Sequence, residues 1–208
     1  MLRLVFVEAS LETVPKVIAK HPAVLKDAKR RKKKPTEMIL DDSKHHSAMK
    51  DLERREKRGR PDIIHQCLLL ALDSPIEDLE IYVHTINDVV IWINRKTRLP
   101  RNYNRFIGLM EDLFKKGKIV ADETLLEITN LSLRDILKGH KVVVMSEKGK
   151  KRDFKLENCA VCIGAFPHGD FDEKTLKVFE DLNAEFVSIV DKPVTALYTT
   201  CKVLCRYS

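Results

Sequence analysis

The stretch Asn158-Cys159-Ala160-Val161-Cys162-Ile163-Gly164-Ala165-Phe166-Pro167-His168-Gly169 decides the fold class. Asn158 to Ile163 reads as an apolar strand, and the residues after it as a loop with glycines on either side of an aromatic-proline pair. The flanking chain alternates cleanly. Ser132 to Lys138 reads as helix, Lys141 to Met145 as strand, Glu173 to Leu182 as helix, Phe186 to Val190 as strand and Val194 to Leu204 as helix. Val-rich strands alternating with helices predict an α/β fold with a parallel sheet flanked by helices. The same stretch disposes of a zinc reading of Cys159-x-x-Cys162 with Cys201-x-x-x-Cys205. An odd separation on a strand sends two side chains to opposite faces, so the first pair cannot share a metal. Cys201 and Cys205 lie four apart on a helix and read as small core residues.

Working toward the N-terminus, Leu2 to Val7 reads as a first strand, and Ser10 as the cap of a helix from Leu11 to about Lys20. Lys26 to Lys34 holds seven basic residues out of nine. No buried face is evident in it, so it reads as a loop or mobile arm, either solvated or functional. Ser43 to Lys57 is helical in character, with Ala48, Met49 and Leu52 on one side; Gly59 stops it and Pro61 opens the next helix. That helix, Ile63 to Leu72, is apolar on nearly all sides and therefore central, and Asp73-Ser74-Pro75 ends it. Leu79 to His84 and Val89 to Ile93 alternate around Asn87-Asp88 as a hairpin. Tyr103 to Phe114 is amphipathic.

The 208 residues fit one domain or two small ones, with no internal repeat. At 44% hydrophobic residues the composition supports a real core. The longest apolar run, Cys67 to Leu72, is far short of the roughly 20 residues a membrane span requires. The start has too short an apolar region for a secretory signal. Five cysteines, an odd number, suit reduced thiols. A soluble cytoplasmic protein is expected, and the net charge of +7 makes an anionic partner plausible without naming it.

In an open parallel sheet, ligands bind beyond the carboxyl ends of the strands. Three such ends carry Gly, Pro or polar residues: Met145 to Gly149, Ile163 to Gly169 and Ile189 to Val194. Gly164 and Gly169 mark either a tight turn or backbone brought close to a ligand. No dinucleotide fingerprint and no Walker lysine is present. Arginines gather at two stiffened turns, Arg58-Gly59-Arg60-Pro61-Asp62 and Arg98-Leu99-Pro100-Arg101-Asn102-Tyr103-Asn104-Arg105. Their planar forks match phosphate oxygens, and a solvated surface is the other reading. Arg60 and Asp62 can form a local pair. Arg101 and Arg105 would share a face of a helix starting near Arg101. Tyr103 and Phe106 could stack on an unpaired base, though Phe106 fits the core equally well. His65 and His84 read as core or capping histidines, and no three ligands converge to make a metal site.

Four motifs in order, R-G-R-P-D-I-I-H (Arg58 to His65), L-L-L-A-L-D-S-P (Leu68 to Pro75), T-R-L-P-R-N-Y-N-R-F (Thr97 to Phe106) and I-G-A-F-P-H-G (Ile163 to Gly169), resemble the pseudouridine-N1-specific methyltransferases of small-subunit (16S) ribosomal RNA. This is a ribosome-biogenesis family of the SPOUT class, and the resemblance runs over nearly the full chain, to the short archaeal members. It implies one SPOUT domain over residues 1–208, with a C-terminal trefoil knot, a basic insertion at about 26–58 and a hairpin extension at about 79–100. It implies S-adenosylmethionine as cofactor, held by Met145, Gly164, Gly169 and Ile189, Val190, Asp191, Lys192, Pro193 and Val194. It also implies a homodimer using the C-terminal helix, and a catalytic pair in which Arg60 contacts RNA and Asp62 steadies it. Arg98, Arg101 and Arg105 would be further RNA contacts, and ribosomal proteins candidate partners. No metal, DNA or membrane role is implied. The competing expectation is an RNA-binding assembly factor in which methylation is secondary or absent. A DNA-binding regulator lacks any helix-turn-helix or zinc pattern.

Overall fold

A computed structural model describes residues 1–151 and 158–207. The strands among them are β1 (Leu2–Ala9), β2 (Leu79–Thr85), β3 (Val90–Ile93), β4 (Lys118–Val120), β5 (Thr124–Thr129), β6 (Lys141–Lys151), β7 (Cys159–Gly164) and β8 (Glu185–Ser188). The helices are α1 (Pro22–Arg31), α2 (Asp42–His45), α3 (Pro61–Asp73), α4 (Tyr103–Lys116), α5 (Leu133–Leu137), α6 (Glu173–Asp181) and α7 (Ala196–Tyr207). One sheet runs in the order β4-β5-β3-β2-β1-β7-β6-β8. Its half from β2 to β8 is parallel, and β3, β5 and β4 continue it as antiparallel neighbours.

The central strands are apolar on both faces because both are covered. Leu2, Leu4 and Phe6 of β1 join Cys159, Val161 and Ile163 of β7 in the core under α3, α4 and α7. Val5, Val7, Ala160 and Cys162 join Leu133, Ile136, Leu137 and Phe179 on the opposite face. Cys159 and Cys162 therefore lie on opposite sides of the sheet, as the period of a strand requires. Burial raises the Cys159 thiol to about 11, so it is protonated at neutral pH. Among the described residues no cluster suits a metal ion, and no helix is long and apolar enough to cross a membrane.

The structure departs from sequence expectation in several places. Lys26 to Lys34 is not a free arm, because α1 covers most of it and is seated by Val24 and Ala28 in a third apolar cluster. The carboxylate of Glu111 on α4 receives two guanidinium hydrogen bonds from Arg31, at 2.6 and 2.7 Å, and one from Lys33 at 2.5 Å. A charged helix thus finds its buried face through a distant partner, which no local periodicity can show. Leu11 to Lys20 is not a helix: Thr13 pairs with Ile39 and only Lys16–Ile18 makes a turn, since Pro15 interrupts the segment. Ser43 to Lys57 breaks into α2 and single turns, although Ala48, Met49 and Leu52 are buried as expected. Phe106 is core and stacks on His65, at 4.2 Å between ring centroids. Phe106 is therefore no stacking platform, while the half-buried Tyr103 has its hydroxyl fixed by donating to Asp41 Oδ2 at 2.9 Å. Cys201 and Cys205 are exposed on α7 rather than in the core. The strands β4 and β5 had no reading from sequence; β5 pairs with β3 and extends the sheet past the hairpin.

Candidate functional site

The carboxyl ends of the parallel strands meet at one edge, where two connected hollows open. A niche of about 80 Å³ is lined by Met145, Ser146, Glu147, Ile189, Val190, Lys192 and Val194, with Val187, Ser188 and Thr199 behind. It adjoins a cavity of about 640 Å³ that shares Ser146, Glu147 and Val194 with it. That volume falls within the roughly 300–1,000 Å³ usual for small-molecule sites. Gly164 and Gly169 form one side of the cavity with Phe166, Pro167 and His168, and Pro193 to Leu197 form another. Arg60, Asp62 and Gln66, from the start of α3, complete it. Residues from four distant segments of the chain therefore converge.

Each wall has a local cause. The Met145–Gly149 segment is not a loop but part of β6. Met145 and Lys150 both align with Val187 of β8, so the intervening residues bulge outward toward the niche. Gly149 makes this possible, because a Cβ there would lie 2.5 Å from the Val187 amide nitrogen and 2.6 Å from the Phe186 carbonyl carbon. Below about 3.0 Å from backbone, no small adjustment relieves the clash. A side chain at Gly164 would meet the Phe166 ring at 3.0 Å. Such glycine-lined walls leave backbone groups facing the hollow without side-chain obstruction.

Arg60 is held by the turn that the sequence indicated. Gly59 has φ +72°, and a Cβ there would press Met49 at 2.7 Å and the Asp42 amide nitrogen at 3.1 Å. Pro61 takes the first helical position of α3, where its missing N–H costs nothing. The Arg60 amide donates to Ser10 Oγ at 2.8 Å. Its guanidinium donates twice to Asp62, Nε to Oδ1 and Nη2 to Oδ2, each at 2.8 Å. The hydrogen bonds to Asp62 raise the Arg60 pKa further, so the group is a permanent cation at the cavity mouth.

The remaining arginines lie apart from this cavity. Arg98 and Arg101 line a separate hollow of about 650 Å³, together with Asp73, Arg95 and Leu72. Arg101 Nη2 donates to Asp73 Oδ2 at 2.8 Å across an exposed pair. Arg105 is exposed in the first turn of α4. Asn102 caps that helix by accepting from the Arg105 amide, so Arg101 precedes it and the two arginines do not share a helical face. Two side chains tie this loop to α3 and the turn that follows it. His65 Nε2 donates to the Pro100 carbonyl at 2.8 Å, and Arg95 donates to the carbonyls of Ala71, Leu72, Ser74 and Ile76 at 2.8–3.2 Å. The arginine loop is thus fixed along the same helix that opens with the Arg60–Asp62 pair. Asp191 lines neither hollow and pairs with Lys151 at 2.5 Å.

Sequence reasoning singled out neither Gln66 nor Thr195 to Leu197. Gln66 was findable, since it lies one helical turn after Asp62. Thr195 to Leu197 face the cavity only through the path of the chain after β8.

Comparison with known proteins agrees with this geometry. The model of the EMG1/NEP1 methyltransferase family matches residues 4–208. The chain is 58% identical over 207 residues to the ribosomal RNA small subunit methyltransferase Nep1 of Archaeoglobus fulgidus, covering 98% of this chain and 94% of that protein. It is 49% identical over 212 residues to the corresponding Nep1 of Saccharolobus solfataricus, covering 99% and 94%. The fold is similar to the crystal structure of Archaeoglobus fulgidus Nep1 bound to S-adenosylhomocysteine, with a TM-score of 0.95, 57% identity and coverage of 99% and 96%. A family match over nearly every residue, on a cavity where four segments converge, establishes that the chain belongs to the EMG1/NEP1 methyltransferase family.

Proposed function

We propose that this chain transfers a methyl group from S-adenosylmethionine to N1 of a pseudouridine in small-subunit ribosomal RNA. The observation that carries the reading is the single cavity in which the Arg60–Asp62 pair faces the glycine-lined strand ends. Relatives at 49–58% identity carry the name of small-subunit rRNA methyltransferases, and the similar crystal structure holds S-adenosylhomocysteine, the demethylated form of that donor. The residues fit such a group: Met145, Ile189 and Val190 give the niche an apolar side next to glycine-lined backbone, and Glu147, shared by both hollows, offers a hydrogen-bond acceptor.

The bound cofactor supplies an electrophilic methyl on a sulfonium, whose thioether leaves uncharged. The demand therefore falls on the nucleophile. In pseudouridine, N1 is a free N–H that gives its proton to water at the cavity mouth, and the negative charge left on the ring spreads over the imide oxygens until the bond to the methyl carbon forms. Arg60 is placed to orient the flipped base and hold that charge in a site partly closed to water. Asp62 fixes the guanidinium through two bonds. As a direct base it is disfavoured, because both of its oxygens already accept from Arg60. Arg98, Arg101 and Arg105 bind phosphates on the flanking RNA, and alignment of nitrogen and methyl provides much of the remaining acceleration.

In the same reading the chain is one SPOUT-type domain with a knotted C-terminal part, acting in the cytoplasm alongside ribosomal proteins. It pairs as a homodimer through α7, whose exposed stripe includes Leu197, Cys201 and Cys205 at four-residue spacing. Calorimetry tests the cofactor half. S-adenosylhomocysteine is expected to bind once per chain, and Gly149→Ala to weaken it at least tenfold, or about 1.4 kcal/mol, by pushing the β6 bulge off β8. Wild-type protein giving no heat at millimolar ligand would overturn the assignment of the niche.

A further inference from the structure

We propose that Lys57 is a positioning residue for methyl transfer: from its buried place at the end of the basic insertion it holds Phe166, and with it the glycine loop, as a fixed wall of the reaction cavity. The inference rests on the proposed function above and extends it to a residue that touches neither cofactor nor base.

Lys57 is 3% exposed, and its ammonium pairs with Glu8, itself 2% exposed. It also donates to Asp172 Oδ1 at 2.8 Å. Arg54 pairs with the other oxygen of Asp172. The second oxygen of Glu8, Oε1, accepts from the Asp172 amide at 2.8 Å. Glu8 adopts φ +51°, a left-handed conformation unusual for a non-glycine residue, at the carboxyl-terminal end of β1. The Lys57 ammonium lies 4.4 Å from the centre of the Phe166 ring. Gly169, where φ is +96°, passes within 3.8 Å of the Lys57 stem as judged from an added Cβ. The loop from Gly164 to Asp172 is therefore gripped by one ammonium at its aromatic wall and at its far end.

Stability alone does not explain this arrangement. Desolvating two charges is costly, and an apolar replacement of a buried ion pair is often as stable or more so. Strain at Glu8 and a buried charge network together fit a role in geometry. Phe166 lines the same cavity as Arg60, with Gly164 and His168. Lys57 also lies three residues before Arg60, so the arginine that faces the base and the loop that faces it share one anchor. Phe171 meets Phe166 edge to face with ring centroids 5.6 Å apart, so a displaced Phe166 would carry the rest of the loop with it.

The test compares Lys57→Met with the double variant Glu8→Gln/Lys57→Met, which leaves no unpaired buried charge. Single-turnover methylation of a pseudouridine-containing RNA hairpin is measured together with RNA affinity and melting temperature. The double variant is expected to melt near the wild type and to bind RNA within about threefold of it. Its transfer rate should fall roughly 100-fold, the scale of loss when reacting groups are misplaced by about 1 Å. Full transfer by the double variant would overturn the proposal, as would losses in rate that merely track losses in melting temperature. If the wild type transfers no methyl group at all, the functional reading fails first. The Lys57 claim is then read from S-adenosylhomocysteine affinity, which the double variant should weaken at least tenfold and which, if unchanged, sinks it.

Discussion

Replacing Arg60 with alanine is expected to reduce methyl transfer by about 10²–10³, the usual cost of removing one preorganised donor from developing negative charge. In the proposed reading the effect should fall on the rate of the bound complex more than on RNA affinity, because Arg98, Arg101 and Arg105, the proposed backbone contacts, stand outside the cavity. Asp62→Asn separates two roles. It keeps one acceptor for Arg60 but removes the second charged bond, so a positioning role predicts a smaller loss, roughly tenfold, with an unchanged pH profile. A general-base role would instead abolish the ascending limb of the pH–rate profile. If Asp62→Asn keeps both full turnover and full RNA affinity, neither role stands.

Glu111→Ala is expected to destabilise the protein substantially. The residue is buried on α4, receives Arg31 and Lys33, and also accepts from the Ile39 amide at 3.1 Å. Its removal strands two cations against an apolar interface. Breaking a sealed pair costs about 3–5 kcal/mol. Arg31 and Lys33 remain 21% and 34% exposed and so recover part of their hydration, which brings the expectation to about 2–4 kcal/mol. For a chain of this size that lowers the melting temperature by roughly 5–15 °C. The pH dependence follows from the same site. Burial raises the Glu111 pKa, but the bonds from Arg31, Lys33 and the Ile39 amide outweigh it and leave the group below its ordinary 4.5. The stabilisation is therefore complete above that value and is lost as pH falls through the depressed native pKa. Thermal melts of wild type and Glu111→Gln should converge in acid and separate at neutral pH.

What was legible in the sequence was whatever local chemistry dictates. The apolar strands of the last third, the Pro61 start and Asp73-Ser74-Pro75 end of α3, and the Arg60–Asp62 pair all depend on neighbours within a few residues, and the structure has each of them. The placement of Gly164 and Pro193 on one cavity followed from the rule that ligands sit at strand ends, whereas Arg60 reaches it from the start of α3. The failures share a different origin. The Lys26 to Lys34 run reads as a loop or mobile arm because Glu111, the partner of Arg31 and Lys33, lies some 80 positions away. Lys57 was one more basic residue until Glu8 and Asp172 closed on it from 49 and 115 positions away. Cys201 and Cys205 were assigned to the core because four-residue spacing on a helix indicates a shared face without indicating which face is covered. Local pattern locates catalytic turns, but it is silent on charges neutralised across the fold.

The central claim is that the cavity built by Arg60, the Gly164–Gly169 loop and the Ile189–Val194 segment methylates the free ring nitrogen of pseudouridine. The most direct measurement is methyl transfer from labelled S-adenosylmethionine to two RNA hairpins of one sequence, carrying either uridine or pseudouridine at one loop position. Uridine has its N1 bonded to the sugar and offers no such nucleophile, so label is expected on the pseudouridine hairpin alone, at N1 on nucleoside digestion. Equal labelling of both hairpins, or binding of both RNA and cofactor with no transfer to either, would contradict the account.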